Sequence, residues 1–148
     1  MKTLVLYSTK TGNTQKIAQA IASETNSELV RVANPEPTSD VNLVDYDLIF
    51  VGTGIRAGNP FPEMVSYLKT LDLHEPKTFA IFLTWGGAGK TNQIVSGKVR
   101  AILKEKNQNI LDGFFSSYGK WDMRRTNHPN NEDINAAKIW AQNTINNI

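Results

Sequence analysis

Residues Ser8-Thr9-Lys10-Thr11-Gly12-Asn13-Thr14 place four short hydroxyls and one glycine, with no carboxylate, in seven consecutive positions. A helix starting at the end of such a segment turns unpaired N–H groups and the positive end of its dipole toward an anion. The hydroxyls add donors without bulk. Gly12 lets the backbone turn close to the ligand. A simple helix cap needs one hydroxyl. Four of them predict a phosphate cradle instead.

Two glycine-rich stretches suggest further ligand contacts. Gly52-Thr53-Gly54-Ile55-Arg56-Ala57-Gly58-Asn59-Pro60 nominally matches a dinucleotide fingerprint, Gly52-x-Gly54-x-x-Ala57. That fingerprint requires a helix to begin inside it. Asn59-Pro60-Phe61-Pro62 intervenes, and Pro at the first helical position puts the helix start near residue 61. Thr84-Trp85-Gly86-Gly87-Ala88-Gly89-Lys90-Thr91 narrowly misses a nucleoside-triphosphate loop, with Thr84 in place of the first glycine. No apolar run ending in Asp follows to hold magnesium. A last polar stretch, residues 116–125, carries Tyr118, Trp121, Lys120, Arg124 and Arg125. Its aromatics either border a ligand or cover the end of a sheet. His128, just before Pro129, reads as a structural loop residue.

Other chemistries are excluded or disfavoured by composition. The 148 residues contain no cysteine, so disulfides, thiolate metal sites and thiol nucleophiles are ruled out. His74 and His128 are the two histidines, and they lie far apart in the sequence. No Ser-His-Asp or paired-carboxylate constellation stands out. No catalytic residue and no metal ligand are therefore expected.

The elements that must position these loops follow from the apolar pattern. Short aliphatic runs at 4–7, 29–32, 48–51, 79–83 and 110–115 suit buried strands. Helical spacing appears in Ile17, Ala18, Ile21 and Ala22, and again in Phe61, Met64, Val65, Leu68 and Leu71. It recurs in Ile94, Val95, Val99, Ile102 and Leu103, and in Ile134, Ala137, Ile139, Trp140, Ala141, Ile145 and Ile148. Only the stretch between the second and third strands lacks it; residues 34–39, with Pro35 and Pro37, read as a loop. Alternating strands and helices predict one α/β domain over residues 1–148, with a five-stranded parallel sheet and helices on both faces. Ligands on such sheets bind beyond the strand C-termini. The N-terminal apolar run is too short for a signal peptide, no stretch has the length of a membrane span, and a cytoplasmic protein is expected.

Thr9-Lys10-Thr11-Gly12-Asn13-Thr14, after Leu4-Val5-Leu6-Tyr7 and before Ile17-Ala18, resembles the phosphate loop of flavodoxins. Tyr46-Asp47-Leu48-Ile49-Phe50-Val51-Gly52 and the segment from His128 to Asp133 are similar to later parts of that family. The resemblance implies a doubly wound sheet of order 2-1-3-4-5 with FMN at the switch between strands one and three, a case the general rule for these folds itself cites. It implies that Thr9, Thr11 and Thr14 hold the FMN phosphate, with the backbone amides of Lys10, Thr11, Gly12, Asn13 and Thr14 completing the cradle. The Lys10 ammonium either reaches the phosphate or is solvated. Thr53, Gly54, Ile55, Arg56, Ala57 and Gly58 would lie along the flavin ring. Ala57 or Gly58 would offer a peptide to N5, and Ile55 or Arg56 would pack on the inner face. Thr84, Trp85, Gly86 and Gly87 would meet the pyrimidine edge, with Trp85 a candidate for the outer face. The implied function is electron transfer between a reductase and an acceptor. The alternatives are a flavin oxidoreductase acting on a quinone or porphyrinogen, with Arg56 or His128 touching substrate, and a non-redox nucleotide-binding module.

The net charge is +2, too small to announce nucleic-acid binding. It hides an asymmetry. Residues 1–75 carry 6 basic and 9 acidic side chains, and residues 76–148 carry 10 and 5. Arg56, Lys90, Lys120, Arg124 and Arg125 all fall in loops at the expected ligand end. Beside the resemblance, this predicts redox partner proteins that dock through an acidic patch.

Overall fold

The computed structural model describes residues 1–33, 41–121 and 123–148. The expected loop at residues 34–39 lies outside them, as does Asp122. The strands are β1 (Thr3–Tyr7), β2 (Glu28–Arg31), β3 (Leu48–Arg56), β4 (Asn59–Pro60), β5 (Thr78–Trp85), β6 (Asn109–Ile110) and β7 (Phe115–Tyr118). The helices are α1 (Asn13–Thr25), α2 (Pro62–Lys69), α3 (Thr91–Glu105) and α4 (Asn131–Asn146). A 3-10 turn, Leu43–Asp45, lies between β2 and β3.

The sheet order is β2-β1-β3-β5, and β6 and β7 pair one after the other on the outer edge of β5. All these pairings are parallel. The predicted doubly wound α/β architecture is thus the observed one. The strand period of two divides each central strand between two cores. Leu4, Leu6, Ile49, Val51, Phe79, Ile81 and Leu83 pack with Met64 and Leu68 of α2 and Val95, Val99 and Leu103 of α3. Val5, Tyr7, Leu48, Phe50, Ala80 and Phe82 pack with Ile17 and Ile21 of α1 and Ala137 and Ala141 of α4. Both faces are covered, so the strands read as continuous apolar runs.

Two elements differ from the sequence reading. β3 does not end at residue 51; it continues to Arg56 and folds back through β4 as an antiparallel hairpin. The predicted fifth strand, 110–115, is two short strands separated by residues 111–114. Asp112-Gly113 breaks the run, with Gly113 at φ 75°. Arg100 of α3 donates to the carbonyls of Leu111 (2.9 Å) and Gly113 (3.1 Å), which anchors the break. The second helix begins at Pro62, close to the expected start, with Phe61 in the cap position.

Candidate functional site

The parallel register brings the C-terminal ends of β1, β3, β5 and β7 to one edge of the sheet. There Tyr7 pairs with Gly52, Gly54 with Thr84, and Trp85 with Tyr118. The segments leaving these ends enclose a cavity of about 510 Å³. That lies within the usual range for small-ligand pockets.

One end of the cavity is the predicted cradle. Thr9, Lys10, Thr11, Asn13 and Thr14 line it. Gly12 occupies the cap position of α1 at φ 93°, no side chain caps the helix, and its first turn holds no acidic residue. The positive end of α1 therefore stays open toward the cavity. Thr9 is buried, and its hydroxyl oxygen accepts the Gly12 N–H at 3.0 Å. The hydroxyls of Thr14 and Thr84 share a buried hydrogen bond of 2.7 Å, which ties the cradle to the end of β5. Asn13 Nδ2 donates to the Lys120 carbonyl at 2.8 Å. This approach needs a glycine at 119, because a Cβ there would fall 2.7 Å from Asn13 Nδ2.

Lys10 is neither free in solvent nor turned only inward. Its Nζ lies 3.8 Å from Glu63 Oε2 and 5.5 Å from the Phe61 ring centroid. It spans from the cradle to the start of α2.

The side walls are formed by the β3–β4 hairpin and by the segments after β5 and β7. Gly54, Ile55, Arg56, Ala57 and Gly58 line one side. Ala57 (φ 51°) and Gly58 (φ 73°) are both left-handed, the pattern of a type I′ hairpin turn. Asn59 Nδ2 donates to the Ala57 carbonyl at 3.1 Å. Lys98 reaches across from α3, and its Nζ donates to the Gly58 carbonyl (2.9 Å) and to Asn59 Oδ1 (2.7 Å). Ile55 also packs on the core beneath α2 and α3, whereas Arg56 is exposed. Across the cavity lie Thr84, Trp85, Gly86 and Trp121. The Trp85 ring stacks on Tyr118 with centroids 5.9 Å apart and planes at 12°. The Arg125 guanidinium carbon sits 4.0 Å from the Tyr118 centroid.

Three of the predicted site residues are not in the cavity wall. Gly12 shapes the cradle from behind. Thr53 is buried behind the hairpin. Its hydroxyl oxygen accepts from Ser8 Oγ (3.1 Å) and the Phe61 N–H (3.0 Å), and it donates to the Gly54 carbonyl (2.9 Å). Gly87, at φ 86°, abuts Tyr118 and Arg125, where a Cβ would fall 2.9 Å from each. Of the two aromatics left open, Trp121 lines the cavity and Tyr118 backs Trp85. His128 is held away, with Nδ1 2.6 Å from Asp133 Oδ2 and its ring edge-on to Tyr118.

Phe61, Ala88, Thr91 and Gly119 complete the wall and were not predicted, and Lys120, expected only near the ligand end, joins them. Phe61 also fixes Gly54, since a Cβ there would fall 2.4 Å from the Phe61 ring. The dinucleotide reading fails because a hairpin, not a helix start, follows Gly54. No cluster of three His, Asp or Glu able to hold a metal exists among the described residues. None of their helices is long and apolar enough to cross a membrane.

An open helix N-terminus at one end of a slot walled by Ile55, Phe61, Trp85 and Trp121 fits a planar ring carrying a phosphate. Together with the doubly wound sheet, this defines an α/β protein of the flavodoxin-like class. A flavodoxin-domain family model matches residues 4–126, and the chain belongs to that family. An uncharacterized protein of Methanocaldococcus jannaschii is 33% identical over 155 residues, covering 99% of this chain and 100% of that protein. Protoporphyrinogen IX dehydrogenase (quinone) of Escherichia coli strain K12 is 34% identical over 71 residues, which are 47% of this chain and 39% of the relative. Among solved structures, oxidised flavodoxin 2 of Bacillus cereus superposes with a TM-score of 0.78 at 18% identity over all of both chains. Fusobacterium nucleatum flavodoxin bound to flavin mononucleotide gives 0.71 at 15% identity, covering 100% of this chain and 99% of that one.

Proposed function

We propose that the protein binds FMN in this cavity and carries electrons between a reductase and an acceptor. The observation that carries the reading is the uncapped, acid-free N-terminus of α1, opening into a cavity with aromatic and aliphatic walls. The F. nucleatum flavodoxin, described as bound to flavin mononucleotide, supports the choice of ligand. Thr9, Thr11, Asn13 and Thr14 would hold the phosphate with hydroxyls and helix N–H groups. Ile55, Trp85 and Trp121 would flank the ring and exclude water. The Ala57–Gly58 turn, fixed by Asn59 and Lys98, would present its peptide groups to the ring edge. When bound, FMN supplies the one- and two-electron chemistry, and the residues around it set its affinity and potential.

The test is purification and a visible spectrum, followed by identification of the released cofactor. A colourless protein that FMN cannot reconstitute would overturn the reading. The phosphate assignment has its own test. Thr11→Ala should weaken FMN by about tenfold or more, the scale of one hydrogen bond to a charged group. Riboflavin, which lacks the phosphate, should lose less than about threefold. Equal losses for both ligands would contradict the role given to Thr11.

The E. coli relative favours a second reading, a flavin oxidoreductase with a quinone or porphyrinogen substrate. Arg56, exposed at the cavity mouth, would touch such a substrate. His128 would not, because it is tied to Asp133. Turnover of a quinone or porphyrinogen at kcat/KM above about 10⁴ M⁻¹s⁻¹ would select this reading over the carrier.

A further inference from the structure

The mouth of the cavity carries side chains that stay exposed beyond the part that would hold the ligand. Trp121 lines the cavity yet remains 59% exposed, and Met123, two residues on, is 84% exposed. Trp121 and Arg124 are bridged by two backbone hydrogen bonds, Trp121 N to Arg124 O at 3.0 Å and Arg124 N to Trp121 O at 2.9 Å. The Arg124 guanidinium carbon lies 5.6 Å from the Trp121 ring centroid. Lys120 lines the same wall and Arg56 the opposite one, while Lys90 begins the helix whose first residue, Thr91, also lines the cavity. Among the described residues, no ion pair involves Arg56, Lys90, Lys120 or Arg124. Among the described residues, these four cations therefore add their fields at the mouth.

We propose that this rim, an exposed Trp–Met pair ringed by unpaired cations, is the docking surface for a partner protein with an acidic face. The inference rests on the carrier reading above and names the partner's chemistry. Tryptophan and arginine are the residue types that most often dominate interfaces, and a methionine adapts to an apolar counterpart. Complementary charge raises the rate of encounter and fixes orientation. A second copy of this chain is disfavoured as the occupant, because a two-fold contact would bring the same cations face to face.

The test uses the FMN-loaded protein, with FMN content read from its spectrum. It is titrated calorimetrically with an acidic 2Fe–2S ferredoxin and, separately, with a basic c-type cytochrome. The ferredoxin should bind, and its Kd should rise about tenfold between about 20 and 200 mM salt. The cytochrome should show no such complex. Arg124→Glu combined with Lys90→Glu should weaken the ferredoxin complex about tenfold at low salt, leaving the flavin spectrum unchanged. Met123→Ala should weaken it by a similar factor at both salt concentrations. Preference for the cytochrome, binding to neither probe, or a self-dimer that Met123→Ala dissolves would each overturn the proposal. A protein without FMN would overturn the carrier reading instead; the charge preference is read from the same titration either way.

Discussion

The hydroxyls of the cradle are not equivalent. Thr14 and Thr84 share a hydrogen bond, so only one of their two protons is free for a ligand. Thr9 uses its oxygen as an acceptor for Gly12 and keeps its proton. Thr11 is exposed in the cavity wall, which makes it the cleaner probe of phosphate binding. These threonines were legible in the sequence because seven consecutive residues at a strand–helix junction have little choice of place. Phe61 was not, because its apolar side chain reads equally as helix core, and Gly119 was not, because it reaches the cradle from a segment far along the chain. Tyr46, away from the cavity, illustrates how burial changes a single group. It is buried, and its hydroxyl donates to Glu28 on β2. Burial first, and the Glu28 carboxylate second, push its phenol up to about 12. Because the folded value lies above the unfolded one, this contribution is fully present below about pH 10 and declines as pH rises toward about 12. Tyr46→Phe should remove that part of the alkaline loss, read from denaturant midpoints across the window. An unchanged pH slope would show that Tyr46 contributes nothing to it.

At the scale of elements, the β3–β4 hairpin departs most from the sequence reading. Glycines at 52, 54 and 58 and the prolines that follow read locally as a loop. β1 and β5, pairing on either side of β3, extend it to the end of the cavity instead. The turn then places a non-glycine residue, Ala57, at φ 51°. Alanine in that region costs about 1–2 kcal/mol, and replacing it by glycine adds about 0.4–1 kcal/mol of unfolded-chain entropy. Ala57→Gly should therefore raise stability by about 0.5 kcal/mol in chemical unfolding. Lys98→Met, which removes both hydrogen bonds to the turn, should lower it by about 0.5–1 kcal/mol. A loss of stability in Ala57→Gly would argue that the turn is not strained at this residue. The split of the edge strand was legible in retrospect as Asp112-Gly113, a turn pair inside an apolar run. Which edge of the sheet it occupies was not.

For the whole molecule, ligand binding and folding are linked, because the cradle, the hairpin and the β7 segment come together only in the folded chain. FMN at about one hundred times its Kd should add about 2.7 kcal/mol and raise Tm by roughly 5–10 °C. Riboflavin at the same concentration should raise it less. No shift with FMN, measured by a thermal melt, would count against the cavity as its site. The sequence by itself determined the hydroxyl-rich segment that opens α1, the alternation of strands and helices and the sign of the charge in each half. Each of these is carried by residues adjacent in the chain, or by a period of two or 3.6 residues that any reader of the chain can count. Only the tertiary structure decided that Lys98 clamps the turn, that Trp85 is backed by Tyr118 and Arg125, and that Trp121, Arg56 and Lys120 share one mouth. Those contacts join segments tens of residues apart. They depend on the parallel register that sets one strand end beside another, and on packing that fills the space between them, and neither is written in local spacing.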